Sequence, residues 1–271
     1  MAEAVERIPH GPTLRSWLKR SPFTLSLSSG FFGFFAHTGM LCALEEEALL
    51  PEALTGSSAG GLISGLWGSG LPATELSEAL LALDKSSFWD PGFGLGLLRG
   101  RLFEERLDEL LKCDRFEEAP YRISITAFHC FRLRSVSFTS GSIRDAIRAS
   151  CAYPGLFQPK WINGAPYLDG GIADRPGQLG LKGEERVLYH HLPSRSRWRG
   201  ALGLTAPPSR PRQVTLCFEN LPRCGPSRLD MGVAAFEVAR TQTREALDQP
   251  LVQYDGQRDD DRWYCIGRAG A

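Results

Sequence analysis

A glycine-flanked serine at the junction of an apolar segment and a helix constrains this chain more than any other feature. The stretch Leu54-Thr55-Gly56-Ser57-Ser58-Ala59-Gly60-Gly61 contains the pattern G-x-S-x-G with Ser58 at its centre. A helix-compatible segment with Leu62 and Trp67 follows it. This context is typical of a nucleophile elbow, in which the serine lies on a sharp turn from a strand to a helix. The pattern alone is equally typical of an ordinary turn at the start of a helix.

The same strand, turn and helix order occurs once more, before the serine. Residues 23–28 alternate apolar and small polar side chains, which predicts a strand, and a helix is predicted over residues 34–47. The stretch Ser29-Gly30-Phe31-Phe32-Gly33 forms the turn between them. This repetition favours a parallel sheet with helices on its faces, in which sites form at the carboxyl ends of the strands. We therefore expect backbone N–H groups near Gly30 and Phe31, and at Ala59, to face a carbonyl that Ser58 attacks.

The rest of the chain is interpreted as one domain over residues 21–247, after a polar lead-in (1–20) and before a polar, poorly ordered tail (248–271). Residues 90–96 form an apolar, glycine-rich loop that is either an ordinary connection or a lid or channel segment. Further helices are predicted over residues 72–84, 102–112, 142–151 and 229–247, and further strands over 121–129, 135–139, 186–192 and 213–218.

Composition argues against several classes of protein. Lys and Arg number 31, as do Asp and Glu, so nothing favours a nucleic-acid partner. The seven cysteines form no C-x-x-C pair, and we expect neither a metal site nor a cofactor. The first 20 residues lack the apolar core of a signal peptide, and no uninterrupted apolar run has the length of a membrane span. These features favour a cytoplasmic location; none predicts an oligomeric state.

A candidate base lies in Tyr167-Leu168-Asp169-Gly170-Gly171. Asp169 ends a short predicted strand and precedes two glycines, so it is either a turn former or a base held beside a nucleophile. The local sequence leaves both interpretations open.

Four blocks in this order resemble the patatin-like phospholipases over roughly residues 23–192. They are Ser29 to Gly33 followed by His37-Thr38-Gly39, the elbow from Gly56 to Gly60, Ala149-Ser150 with Pro154 and Phe157, and Asp169-Gly170-Gly171. The resemblance implies a three-layer α/β/α fold with a mostly parallel central sheet. It implies hydrolysis of lipid acyl esters by a Ser–Asp dyad, with Ser58 as nucleophile, Asp169 as proton acceptor and the Gly30 turn as oxyanion hole.

The chain also departs from the family pattern. Ser28 and Ser29 replace the leading glycines of the family's turn, and Phe32 stands where a basic residue is common. This change mildly favours neutral or weakly charged lipid esters as substrates. The expected partners are a lipid ester and, transiently, a membrane or lipid-droplet surface.

Two alternatives remain at this point. In a Ser–His–Asp hydrolase, His190 or His191 would follow Ser58 and Asp169 in a permitted chain order. In a non-catalytic lipid-binding protein on the same fold, the altered glycine turn would have lost its catalytic role.

Overall fold

The computed structural model describes residues 11–193, 207–208, 210–218, 220–253 and 262–267. The α-helices in these residues are α1 (Leu14–Arg20), α2 (Phe34–Glu46), α3 (Ala59–Gly68), α4 (Ala73–Leu81), α5 (Arg101–Leu110), α6 (Ile143–Ser150) and α7 (Met231–Leu247). The strands are β1 (Thr24–Leu27), β2 (Ala53–Ser57), β3 (Gly96–Leu98), β4 (Arg122–His129), β5 (Arg134–Phe138), β6 (Gly155–Phe157), β7 (Lys160–Ile162), β8 (Ala165–Leu168), β9 (Val187–His191), β10 (Gln213–Phe218), β11 (Val252–Gln253) and β12 (Arg262–Gly267).

One large sheet forms the centre of the fold, in the strand order β11-β12-β10-β9-β1-β2-β4-β8-β7 with β5 also paired to β4. The strands from β12 to β4 in this order are parallel, and β5, β7, β8 and β11 run antiparallel to their neighbours. Helices lie on both sides of the sheet. The predicted α/β fold with a mostly parallel central sheet is therefore confirmed.

The central strands are buried at their polar as well as their apolar positions. Every residue of β1, β2 and β9 is buried, as expected of parallel strands covered on both faces. Helix α3 is buried along its whole length, and its glycines allow this because a side chain at Gly65 would collide with Ile147 of α6. The helix that follows Ser58 is thus packed tightly against its neighbours.

The pairing of β4 brings the ends of two distant strands together. Residues 125–129 of β4 pair with β5 on one edge. On the opposite edge, β4 pairs with β2 up to Ser57, and then with β8 at Phe128 and His129. Because β8 runs antiparallel to β4 and β2 runs parallel to it, the carboxyl end of β8 meets the carboxyl end of β2. Asp169 follows the first end and Ser58 follows the second.

The predicted lead-in and tail are wrong where the structure describes them. Residues 14–20 form α1, whose Leu14, Trp17 and Leu18 are buried in the core at helical spacing. In the tail, β12 pairs in parallel with β10 and so extends the central sheet. The ordered elements therefore reach beyond the predicted domain limits of residues 21 and 247; residues 1–10 and the rest of the tail lie outside the described residues.

Two smaller differences concern loops. The helix predicted over residues 72–84 ends at Leu81 because a 3₁₀ turn, Lys85–Ser87, is capped by Asp84. The apolar loop leads into β3, which pairs with β6 in a separate two-stranded sheet.

Among the described residues, no helix combines the length and hydropathy that crossing a bilayer requires.

Candidate active site

Ser58 lies on the sharp turn that the sequence predicts, between β2 and α3. Its φ of 53° and ψ of −119° are a strained backbone conformation for a residue with a side chain. The flanking glycines permit the turn, because a side chain at Gly56 would collide with the Gly60 carbonyl and one at Gly60 with the Leu27 carbonyl of β1. The turn leaves Ser58 partly exposed at the amino end of α3.

Asp169 contacts Ser58 directly. The Ser58 hydroxyl donates a hydrogen bond of 2.6 Å to Asp169 Oδ2. The other carboxylate oxygen, Oδ1, accepts the N–H of Gly171 at 2.8 Å, and the Asp169 N–H donates to the Ala152 carbonyl at 3.0 Å. The residue is only 5% exposed. The carboxylate is thus held in one orientation, with one oxygen directed at the hydroxyl.

Gly170 and Gly171 are needed for this close approach. A side chain at Gly170 would collide with the Thr126 carbonyl of β4, and one at Gly171 would collide with Ser29 in the turn after β1. The Gly170–Ile172 segment forms a 3₁₀ turn with Asp169 as its N-cap. The two glycines therefore let the segment pack between β1, β2 and β4.

Ser150 supports the elbow from a third element, α6. Its hydroxyl accepts the Ser58 N–H at 2.8 Å and donates to the Thr126 carbonyl at 2.7 Å. The next residue, Cys151, places its Sγ 3.3 Å from the Ser58 carbonyl oxygen. Burial and the Asp169 charge raise the pKa of the Cys151 thiol, which therefore stays protonated. The sequence singles out Ala149-Ser150 as part of a family block but gives Ser150 no role, since nothing local indicates its partner.

The residues predicted to form an oxyanion hole lie beside Ser58. Gly30, Phe31 and Ala59 line the same cavity as Ser58 and Asp169. Within the described part of the chain, the N–H groups of Gly30 and Phe31 have no hydrogen-bond acceptor. Ala59 is the first residue of α3, where a backbone N–H has no acceptor within the helix. These donors are therefore free to bind a ligand oxygen.

The cavity is apolar and deep, with a volume of about 850 Å³ including its open mouth. It runs along α3 past Ala59, Leu62 and Leu66. At a rise of about 1.5 Å per residue, Leu66 lies about 12 Å along the helix axis from Ser58. Phe31 and Phe32, from the turn after β1, also line it. Its far walls come from α4, α5 and the segment between them: Leu80, Leu83, Ser87, Phe88, Phe103, Arg106, Leu107 and Leu110. Such a shape accommodates a hydrocarbon chain whose carbonyl lies at Ser58.

Neither candidate histidine lines this cavity. His190 is fully buried, and its Nδ1 lies 2.8 Å from Nδ1 of His37. His37 Nε2 lies 2.8 Å from the Ser28 carbonyl oxygen, to which it can only donate a hydrogen bond. The other nitrogen of a neutral His37, Nδ1, is therefore an acceptor, and His190 Nδ1 donates to it. Burial lowers the pKa of His37 to about 4 and that of His190 well below its ordinary value. The ring of His191 lies 3.0 Å from the Tyr189 hydroxyl.

Known proteins share sequence and fold with this chain. The family model described as patatin-like phospholipase matches residues 25–177. Uncharacterized NTE family proteins of Mycobacterium bovis and Mycobacterium tuberculosis are 29% identical over 153 residues, which is 55% of this chain and 42% of theirs. The chain therefore matches less than half the length of these relatives.

Two solved structures share the fold at low sequence identity. VipD from Legionella pneumophila is 14% identical, with a TM-score of 0.57 over 84% of this chain and 67% of that one. ExoU of Pseudomonas aeruginosa, solved in complex with SpcU, is 16% identical, with a TM-score of 0.51 over 83% of this chain and 52% of that one. The family match covers more than half of the chain, and the chain belongs to the patatin-like phospholipase family.

Proposed function

We propose that this protein is a lipid acyl hydrolase that cleaves carboxylic esters of phospholipids or other glycerolipids through a Ser58–Asp169 dyad. The observation that carries the proposal is the 2.6 Å hydrogen bond from the Ser58 hydroxyl to Asp169 at one end of a deep apolar cavity. A nucleophile, a base and a site for an acyl chain thus occur together.

The reaction proceeds in two steps. Asp169 accepts the hydroxyl proton as Ser58 Oγ attacks the ester carbonyl, and the proton then passes to the leaving alcohol as an acyl-enzyme forms. Water, deprotonated by Asp169, attacks the acyl-enzyme and releases the fatty acid. The N–H groups of Gly30, Phe31 and Ala59 stabilise the oxyanion in both steps, and one such donor is typically worth about 3–4 kcal/mol in the barrier.

The dyad is favoured over a triad by the surroundings of the histidines. Each ring nitrogen of His37 and Nδ1 of His190 already has a partner, and the low pKa values disfavour the protonated state that a catalytic histidine must adopt in turnover. Asp169 also directs its Oδ2 at Ser58 without an intervening ring. We therefore assign the base role to Asp169 alone.

The test is turnover of a medium-chain p-nitrophenyl ester together with labelling by a fluorophosphonate, which requires an activated serine. We expect wild type to be active and labelled, and Ser58→Ala to be inactive and unlabelled while it retains its thermal unfolding midpoint. The His191→Gln variant should keep most of its activity under the dyad, whereas a loss as large as that of Asp169→Asn would support the triad. Wild type that neither turns over nor labels would support the lipid-binding alternative.

The natural substrate belongs to the same proposal. The apolar cavity favours a fatty acyl ester, and a soluble, cytoplasmic protein acting on such an ester would bind a membrane or lipid-droplet surface transiently. A panel of phospholipid, galactolipid and acylglycerol substrates would identify the head group, and activity confined to short soluble esters would contradict the lipid assignment.

A further inference from the structure

An exposed apolar loop lies next to the cavity and has no role in the chemistry above. We call residues 91–98 the apolar finger. Phe93 and Leu95 are 104% and 82% exposed, and Leu97 is about half exposed. Exposed apolar side chains are common singly, but several on one short loop mark an interaction site.

The apolar finger has a fixed shape despite its exposure. The Gly92 N–H donates to the Leu97 carbonyl at 3.0 Å, which closes the loop. The Gln158 side-chain amide donates to the Phe93 carbonyl at 2.6 Å. The loop is thus hydrogen-bonded at both its tip and its neck, and its apolar side chains project from a built scaffold.

A buried arginine anchors the base of the apolar finger. Arg148 of α6 is 1% exposed, and its Nη2 donates to the carbonyls of Arg99 and Gln158 at 2.9 and 3.1 Å. Gly100, with a φ of +85°, leaves the space that the guanidinium fills. Arg148 therefore joins the end of the apolar finger to the segment after β6, two residues before the Ser150 that supports the elbow.

The anchor places the apolar finger at the mouth of the cavity. β3 pairs with β6 through Gly96 and Gly155, and Leu98 and Phe157, at a strand spacing of about 4.8 Å. Phe157 and the neighbouring Tyr153 line the cavity. Tyr153 is itself half exposed, with its ring 5.2 Å from that of Phe31. The apolar surface thus continues from the finger into the cavity.

We propose that the apolar finger inserts into the surface of a lipid bilayer and holds the cavity mouth against it. This inference rests on the proposed function, because an acyl chain enters the cavity directly from a bilayer if the mouth faces the lipid. The charge at its base fits a bilayer. Arg99 is exposed and forms no ion pair in the part of the chain that the structure describes. When the apolar finger is inserted, the guanidinium of Arg99 at its base would lie among the lipid phosphates.

The experiment measures vesicle binding in a Ser58→Ala background, so that hydrolysis does not alter the lipid. The double variant Phe93→Asp/Leu95→Asp is compared with Leu50→Asp in flotation with phosphatidylcholine vesicles containing phosphatidylglycerol. Leu50 is about as exposed as Leu97 but precedes the amino end of β2, whereas Ser58 follows the carboxyl end of that strand. We expect the double variant to bind about a hundredfold more weakly and Leu50→Asp to bind normally, because each apolar side chain withdrawn from lipid costs about a factor of ten.

A second measurement uses the active enzyme. Carrying the same two changes, it should hydrolyse a soluble p-nitrophenyl ester at the wild-type rate and lose turnover of vesicle lipid. Undiminished vesicle binding by the double variant would overturn the proposal, whether or not light scattering shows that the two changes alter self-association. The wild type could also bind vesicles in a way that depends on the apolar finger and yet hydrolyse no ester. That result would support the docking surface and contradict the proposed hydrolase activity.

Discussion

Replacing Asp169 by Asn tests the proposed chemistry with little change in shape. The amide has the volume of the carboxylate, and its oxygen still accepts the N–H of Gly171. Its NH₂ group then faces Ser58 Oγ, where the carboxylate now accepts a 2.6 Å hydrogen bond. Ser58 must become an acceptor, and no base remains to take its proton.

The size of the loss follows from the role of a general base. Such a group contributes about 10²- to 10⁴-fold, so we expect kcat to fall by that factor, or about 3–5 kcal/mol in the barrier. KM for a p-nitrophenyl ester should change little, because the apolar cavity walls are untouched. The free energy of unfolding should change by no more than about 1 kcal/mol, since the buried hydrogen bonds keep partners.

The assay is steady-state turnover of the ester by wild type, Asp169→Asn, Ser58→Ala and the double variant, with urea unfolding of each. Because the two residues act as one unit, the double variant should be no slower than Ser58→Ala alone. An Asp169→Asn enzyme with more than a tenth of wild-type kcat would refute the assignment of Asp169 as the base. Multiplicative losses in the double variant would refute the coupling of the two side chains.

Three further predictions concern the cavity, the elbow and the core. Leu66→Phe, about 12 Å along α3 from Ser58, should shift kcat/KM toward shorter acyl esters, and an equal loss for all chain lengths would contradict the proposed chain path. Gly60→Ala should destabilise the protein by more than about 3 kcal/mol in urea unfolding, because its methyl meets the Leu27 carbonyl, whereas Gly225→Ala, whose methyl reaches only van der Waals distance from the Phe31 ring at 4.0 Å, should change stability by less than about 0.5 kcal/mol. His37 takes up a proton on unfolding below pH 6.5 but resists it when folded until about pH 4, so stability should fall by about 3 kcal/mol between these values as the pH is lowered. Replacement by His37→Gln should remove that part of the pH dependence.

Local patterns in the sequence predict most of the elements. The predicted strand over residues 213–218 has the bounds of β10, and the helix over 34–47 differs from α2 by one residue. Glycine spacing around Ser58 indicates the turn, because only glycine tolerates the close carbonyls on both sides. The lead-in is wrong because a helical spacing of Leu14, Trp17 and Leu18 lies within a mostly polar stretch.

The candidate site depends on contacts between distant parts of the chain. Asp169 alone is ambiguous between a turn former and a base, and the sequence permits His190 and His191 as partners. Asp169 meets Ser58 because β8 pairs with the same edge of β4 as β2 does, just beyond the point where β2 ends. His190 is instead buried against His37. The roles of these residues stay predictions, now with a geometry that tests can address.

The sequence by itself determined the fold class, the serine turn and the family resemblance, since each rests on neighbouring residues or on the order of short blocks. Only the tertiary structure decided which acid meets the serine across 111 residues of chain, that Ser150 supports the elbow, and that helices from three regions enclose one apolar cavity. The physical reason is the separation along the chain between the residues that interact. Turn geometry and periodicity are set by adjacent side chains, whereas a site is set by strand pairing and helix packing, which no local pattern encodes.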